Sequence, residues 1–121
     1  MATQQGLTPL SYVASGDLSA KQFYAVKANG DGTVAIIAAV TDRVAGIVQE
    51  PATAGKAVAI AASGQVKWLA GATLAAGDAV STDNAGKAVP VGTGTKSHGT
   101  CVRGAASGEY AEVLLSLNGY S

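Results

Sequence analysis

Cysteine is almost missing from this chain: among 121 residues there is one, Cys101. An intramolecular disulfide is therefore excluded, and a reducing compartment is the simpler reading. Histidine, tryptophan, phenylalanine and methionine also occur once each, and aromatics make up only 5% of the sequence. Charge is sparse and balanced, with eight basic and eight acidic residues in no run of one sign. A nucleic-acid binder needs a basic stripe against phosphates, and none is present. A membrane-surface protein needs a basic amphipathic helix, which is also missing. The longest apolar run, Val34 to Val40, is too short to span a bilayer. The opening residues Met1-Ala2-Thr3-Gln4-Gln5 show no basic region and no apolar stretch, so no signal peptide is expected. The expectation is a soluble protein made in a cytoplasm, with no nucleic-acid and no membrane partner.

What is abundant is alanine, glycine and valine. Apolar residues reach 48%, yet alanine dominates them. Alanine contributes little apolar area, so the core should be thin and its layers closely spaced. A thin core favours added stabilisation by oligomerisation or by a partner. Three segments repeat one pattern: Ala54-Gly55-Lys56-Ala57-Val58, Ala76-Gly77-Asp78-Ala79-Val80 and Ala85-Gly86-Lys87-Ala88-Val89. Glycine permits a positive-φ turn, a charged residue stays at the rim, and small and β-branched residues start a strand. This is scaffold, without a catalytic group.

Two regions follow from the pattern. Residues 1–16 read as an N-terminal arm, with Leu7, Leu10, Tyr12 and Val13 spaced among polar residues. The arm is either a frayed terminus or a segment that orders on a partner. Residues 17–121 read as a single β-rich domain. Strands are predicted at Phe23–Ala28, Thr33–Val40 (buried on both sides), Val44–Gln49, Ala57–Ala61, Val66–Ala70, Ala79–Thr82, Lys87–Val91, Gly99–Gly104 and Glu109–Leu117. Ser63-Gly64 suggests a hairpin turn, and Ala72–Ala76 one short helical turn. Many short, evenly spaced strands predict an all-β fold, or mostly β with one short helix: a small barrel or sandwich.

No constellation for chemistry emerges. His98 and Cys101 offer at most two zinc ligands, and no third residue orients them as a nucleophilic pair. Gly92-Thr93-Gly94-Thr95-Lys96-Ser97 lacks the glycine before Lys-Ser and the helix that a phosphate loop needs. Asp78, Asp83 and Asn84 do not match a calcium loop. Glu109 and Glu112 fall on opposite faces of a strand. Neither Lys67 nor Lys87 has the flanks of a modified carrier lysine. No enzyme activity, catalytic residue, cofactor or metal is therefore expected. Trp68 shares a face with Val66 and Ala70 and is either a core residue or part of a subunit interface.

In order and spacing these segments resemble the small phage capsid cement, or head decoration, proteins. The resemblance runs from Phe23-Tyr24-Ala25-Val26-Lys27 through Arg43-Val44-Ala45-Gly46-Ile47-Val48, the Ala54–Ile60 block and Ala76–Asp83 to Gly99–Gly104 and Val113-Leu114-Leu115. It implies a compact β fold similar to lambda-type head decoration proteins. It also implies homotrimers on the outside of an expanded icosahedral head, bridging subunits of the major capsid protein. The arm, with Leu7, Leu10, Tyr12 and Val13, would then meet the capsid, and the protein would be made in the bacterial cytoplasm and reside on the virion. The alternative is a β-rich tail, fibre or adhesin-type binding module.

Overall fold

The computed structural model describes residues 9–39, 42–91 and 97–115. Among them the chain forms β1 (Pro9–Ala14), β2 (Ala25–Ala28), β3 (Thr33–Ile36), β4 (Gly46–Glu50), β5 (Ala57–Ala61), β6 (Gly64–Leu69), β7 (Ala79–Thr82), β8 (Ala88–Pro90), β9 (Gly99–Arg103) and β10 (Tyr110–Leu115). The first five strands close into a barrel in the order β1-β3-β2-β4-β5, and the rest form a five-stranded sheet, β6-β10-β9-β7-β8. The all-β reading holds. The three repeated turns act as expected: Gly55, Gly77 and Gly86 all have positive φ, and β5, β7 and β8 each begin two residues later.

The two layers share the strands β2, β4 and β5. Neighbouring residues Ala25 and Val26, Ile47 and Val48, and Ile60 and Ala61 are all fully buried. Alternation sends Val26, Val48 and Ile60 into the barrel, beside Leu18, Val34 and Val58. Ala25, Ile47 and Ala61 face the other way, in cross-strand register, and join Val66, Trp68, Val80, Cys101, Ala111 and Val113 in the main core. Two-sided burial is strongest on these strands. In Thr33–Val40, whose last residue lies outside the described residues, β3 ends at Ile36; Val34 enters the barrel and Ile37, just past the strand, joins the main core.

Other expectations are corrected by pairing. β5 and β6 do not form a hairpin around Ser63-Gly64. Both edges of β5 are taken, by β1 and β4, so β6 crosses to the second sheet and pairs with β10. Ala72–Ala76 is not helical. Leu74 instead exchanges backbone hydrogen bonds with Ala105, at 2.9 and 3.1 Å. Gly104 permits that approach, because a Cβ there would sit 2.2 Å from the Leu74 carbonyl oxygen. The arm is also shorter than residues 1–16. Pro9–Ala14 is a barrel strand, paired antiparallel with β5 from Pro9↔Ala61 to Val13↔Ala57 and parallel with β3 at Val13 and Ala14. Spaced apolar residues without strict alternation hid this strand.

Trp68 is fully buried inside the protomer, so it offers no surface to a subunit interface. Its indole Nε1–H donates to the Gly86 carbonyl at 2.9 Å, and the Ala25 N–H donates to the same oxygen at 2.8 Å. Gly86 has φ +85°, and a Cβ on it would meet the Ala25 carbonyl oxygen at 2.8 Å. Phe23, at φ +66°, bonds both layers: its N–H donates to Val48 and its carbonyl accepts from Leu69.

Two outcomes follow. Deleting residues 1–16 removes β1, opens the barrel and abolishes cooperative unfolding in thermal denaturation, whereas deleting residues 1–8 preserves it. Gly86→Ala loses about 1–3 kcal/mol from backbone strain alone, with a further loss from the clash with Ala25, measured by urea denaturation.

Candidate functional site

Among the described residues, exposed large apolar side chains gather in two places: Leu10, Tyr12 and Val13 on β1, and Val102, Tyr110 and Leu114 on the second sheet. On β1, Leu10 and Tyr12 stand opposite Ile60 and Val58, on the face that lines the barrel, yet they remain 39% and 36% exposed. Val13 points to the other face and is 42% exposed. Among the described residues β3 meets β1 only at Val13 and Ala14. One backbone edge of Pro9–Tyr12 thus carries no strand there. Leu7 lies outside the described residues. Three of the four sequence-predicted contact residues therefore share one exposed strand.

The second place was not read from the sequence as a site. On β10, Ala111, Val113 and Leu115 turn inward and Tyr110, Glu112 and Leu114 turn outward, as alternation predicts. Glu112 is nevertheless only 3% exposed. Its Oε2 forms an ion pair with Arg103 Nε at 3.0 Å, and its Oε1 accepts a hydrogen bond from Gln65 Nε2. A β-bulge produces this pairing: the β9 partner shifts from Cys101, opposite Val113, to Arg103, opposite Glu112. Simple alternation would put Arg103 on the face of Cys101, so the sequence pattern concealed the ion pair. A carboxylate so buried needs such partners. Nearby, the Phe23 and Tyr110 rings meet edge to face at 5.2 Å, and Lys67 Nζ lies 5.5 Å from the Phe23 ring centre. Lys67, Arg103, Gly104, Gly108, Glu109 and Tyr110 line an open cleft of about 560 Å³.

The residues considered for chemistry are engaged structurally. Cys101 is in the main core, and His98, also buried, precedes β9 and donates its backbone N–H to the Val80 carbonyl at 2.7 Å. Burial, and secondarily the nearby Asp78 charge, push the Cys101 thiol upward, which disfavours the thiolate. Asp83 serves its own turn, accepting from the Ala85 and Lys87 N–H groups at 2.8 Å each. Asp42 accepts from the N–H groups of Ala38 and Ala39 and pairs with Lys27 at 3.3 Å. Those backbone bonds, with Lys27 adding to them, hold its carboxyl below the usual range. Among the described residues no group of three or more His, Cys, Asp or Glu is placed to hold a metal. No helix there is long and apolar enough to cross a membrane. Cys101 is accordingly expected to resist alkylation in the native protein and to react fully in denaturant. Equal labelling rates in both states, by mass spectrometry, would contradict its burial.

Comparison with known proteins agrees with a scaffold and surface of this kind. Among solved structures, the N-terminal base of head fiber gp8.5 of bacteriophage phi29 superimposes with a TM-score of 0.68 at 17% identity. The match covers 91% of this chain and 94% of that one, and at this identity it concerns the fold. No curated protein matches. The family model for phage cement proteins matches residues 3–117, nearly the whole length. The chain, an all-β scaffold with two exposed apolar surfaces, belongs to the phage cement protein family.

Proposed function

We propose that this cement protein acts from the outside of the phage head, bound to the major capsid protein, and stabilises the shell by bridging neighbouring subunits as a homotrimer. The match to the phage cement family over residues 3–117 carries the reading. The work is mechanical and needs no catalyst or cofactor. Newly made protein is held in the host cytoplasm and its final place is the virion surface. The balanced charge of the chain leaves little net repulsion between copies, which suits close packing on a shell.

β1 is the docking element that the geometry favours. An extended chain of the shell can lie along the edge of Pro9–Tyr12 that no strand covers among the described residues and exchange backbone hydrogen bonds, while Leu10, Tyr12 and Val13 supply apolar contact. A sparse contact of this sort is weak singly. Symmetry repeats it, and linked copies bind with an effective concentration that separate ones lack.

Cosedimentation with expanded, undecorated capsids tests the reading. The intact protein is expected to pellet with heads at saturable stoichiometry. Tyr12→Ser combined with Val13→Asp alters two part-exposed positions, so the variant should stay folded, its melting transition lowered only by the packing that Tyr12 makes on the barrel-lining face, and lose capsid affinity at least about tenfold. Absence of binding by the unaltered protein overturns the capsid reading. Full affinity in the folded double variant moves the docking element away from β1.

A further inference from the structure

The outer face of the second sheet departs from what water favours. A sheet covered on one side normally alternates apolar inside with polar outside. Here the outward positions include Leu114 and Tyr110 on β10 and Val102 at the bulge of β9, all about half exposed. Between Tyr110 and Leu114 sits Glu112, already neutralised by Arg103 and bonded by Gln65. The face therefore combines an apolar surround with a polar centre that is satisfied internally. Interface cores have this composition, because an unpaired charge there would be costly to bury.

Its charges restrict the partner. Lys67 and Arg103 bring two positive groups, and Glu109 and Glu112 bring two negative ones. The balance gives no advantage to a strongly acidic or strongly basic partner. It suits a surface with the same mixed pattern, and a second copy of this chain has that pattern by construction. The face also belongs to a different layer from β1: the main core separates it from the barrel, so it remains available when β1 is engaged.

We propose that the outer face of β6, β10 and β9 is the contact surface for a second copy of this chain. Val102, Tyr110 and Leu114 lose water across the contact, and the exposed Glu109 carboxylate of one copy meets the Lys67 side of the face of the next, a head-to-tail contact that a three-fold axis can close. This rests on the reading of the protein as a self-associating cement protein and names the surface that associates. The area is modest, so contact between free copies is weak and strengthens when neighbouring copies are held on a shell.

The test joins carboxylates to amines without a spacer. Equal amounts of unlabelled and isotopically labelled full-length protein are treated with a carbodiimide, in concentrated solution and on capsids, and peptides are analysed by mass spectrometry. Mixed-isotope pairs linking Glu109 to Lys67 are expected in at least one setting. Leu114→Asp or Val102→Asp should reduce their yield at least about tenfold while leaving the melting transition in place. Links confined to one isotope, links from Glu109 to a capsid lysine, or undiminished yield in a folded variant overturn the proposal. If Leu114→Asp fails to fold, Val102→Asp decides alone, and if that also fails, the milder Val102→Thr and Leu114→Thr decide in the same assay. Capsid pelleting of the unaltered protein is scored separately. Pelleting without mixed links rejects this surface alone, whereas links in solution without pelleting reject only the capsid reading.

Discussion

The architecture depends on one carbonyl. Gly86 presents its oxygen to the Ala25 amide of the barrel and to the Trp68 indole of the second sheet at once. Both donors are buried, so neither has water as an alternative partner. A third link runs alongside, where Phe23 joins Val48 of β4 to Leu69 of β6. Widening the close approach at Gly86 would loosen the seam between the two layers beside the largest side chain in the core. The third repeat reflects this duty. In the first two repeats the valine, Val58 or Val80, is fully buried, whereas in the third it is Ala88 that is buried and Val89 that is partly exposed.

Small residues are the second consequence. The main core places Ala25, Ala61, Ala70, Ala88 and Ala111 among a few larger chains. Such a core stabilises by closeness more than by area, since an alanine methyl removes little surface from water. Trp68 fills the space these residues leave, and its truncation to Ala would cost about 3–5 kcal/mol on the usual scale for large aromatic cores. The end of β6 also reaches the far edge of its sheet: Ala70 bridges Ala88, and the Gly71 amide donates to the Ala88 carbonyl at 2.8 Å. Near closure of this kind leaves less edge open to unwanted pairing.

Local grammar made much of the fold legible. Glycine turns marked the starts of β5, β7 and β8, and period-2 alternation put Val66, Trp68 and Ala70 on one face, which the fold buries. The turn Asp83-Asn84-Ala85-Gly86 joins β7 to β8, which pair antiparallel. Long-range choices were not legible. Whether β5 continues into a hairpin depends on its edges being free, and those edges are taken by β1 and β4 from elsewhere in the chain. The exposed β1 residues were visible as spaced apolar positions, but their membership of a closed barrel was not. The Glu112–Arg103 pair was hidden because a bulge changes facing by one residue, and nothing in the letters of β9 marks it.

A cement protein has to remain dispersed when free and hold firmly when assembled. One large sticky surface would satisfy the second need and defeat the first. Among the described residues the large exposed apolar side chains are instead divided between β1 and the outer sheet face, a few on each, with polar groups interspersed. On the proposed reading each surface alone gives weak, reversible contact. On a shell of fixed spacing both can be used together, and the second contact then forms at the effective concentration set by the first. Strength so obtained belongs to the lattice and vanishes from the free protomer. The thin core is compatible with the same logic, because any contact made only by the folded state adds to its stability by mass action. A fold held by close backbone approach and a few buried hydrogen bonds is thus enough for the protomer, provided that the assembled state supplies the rest.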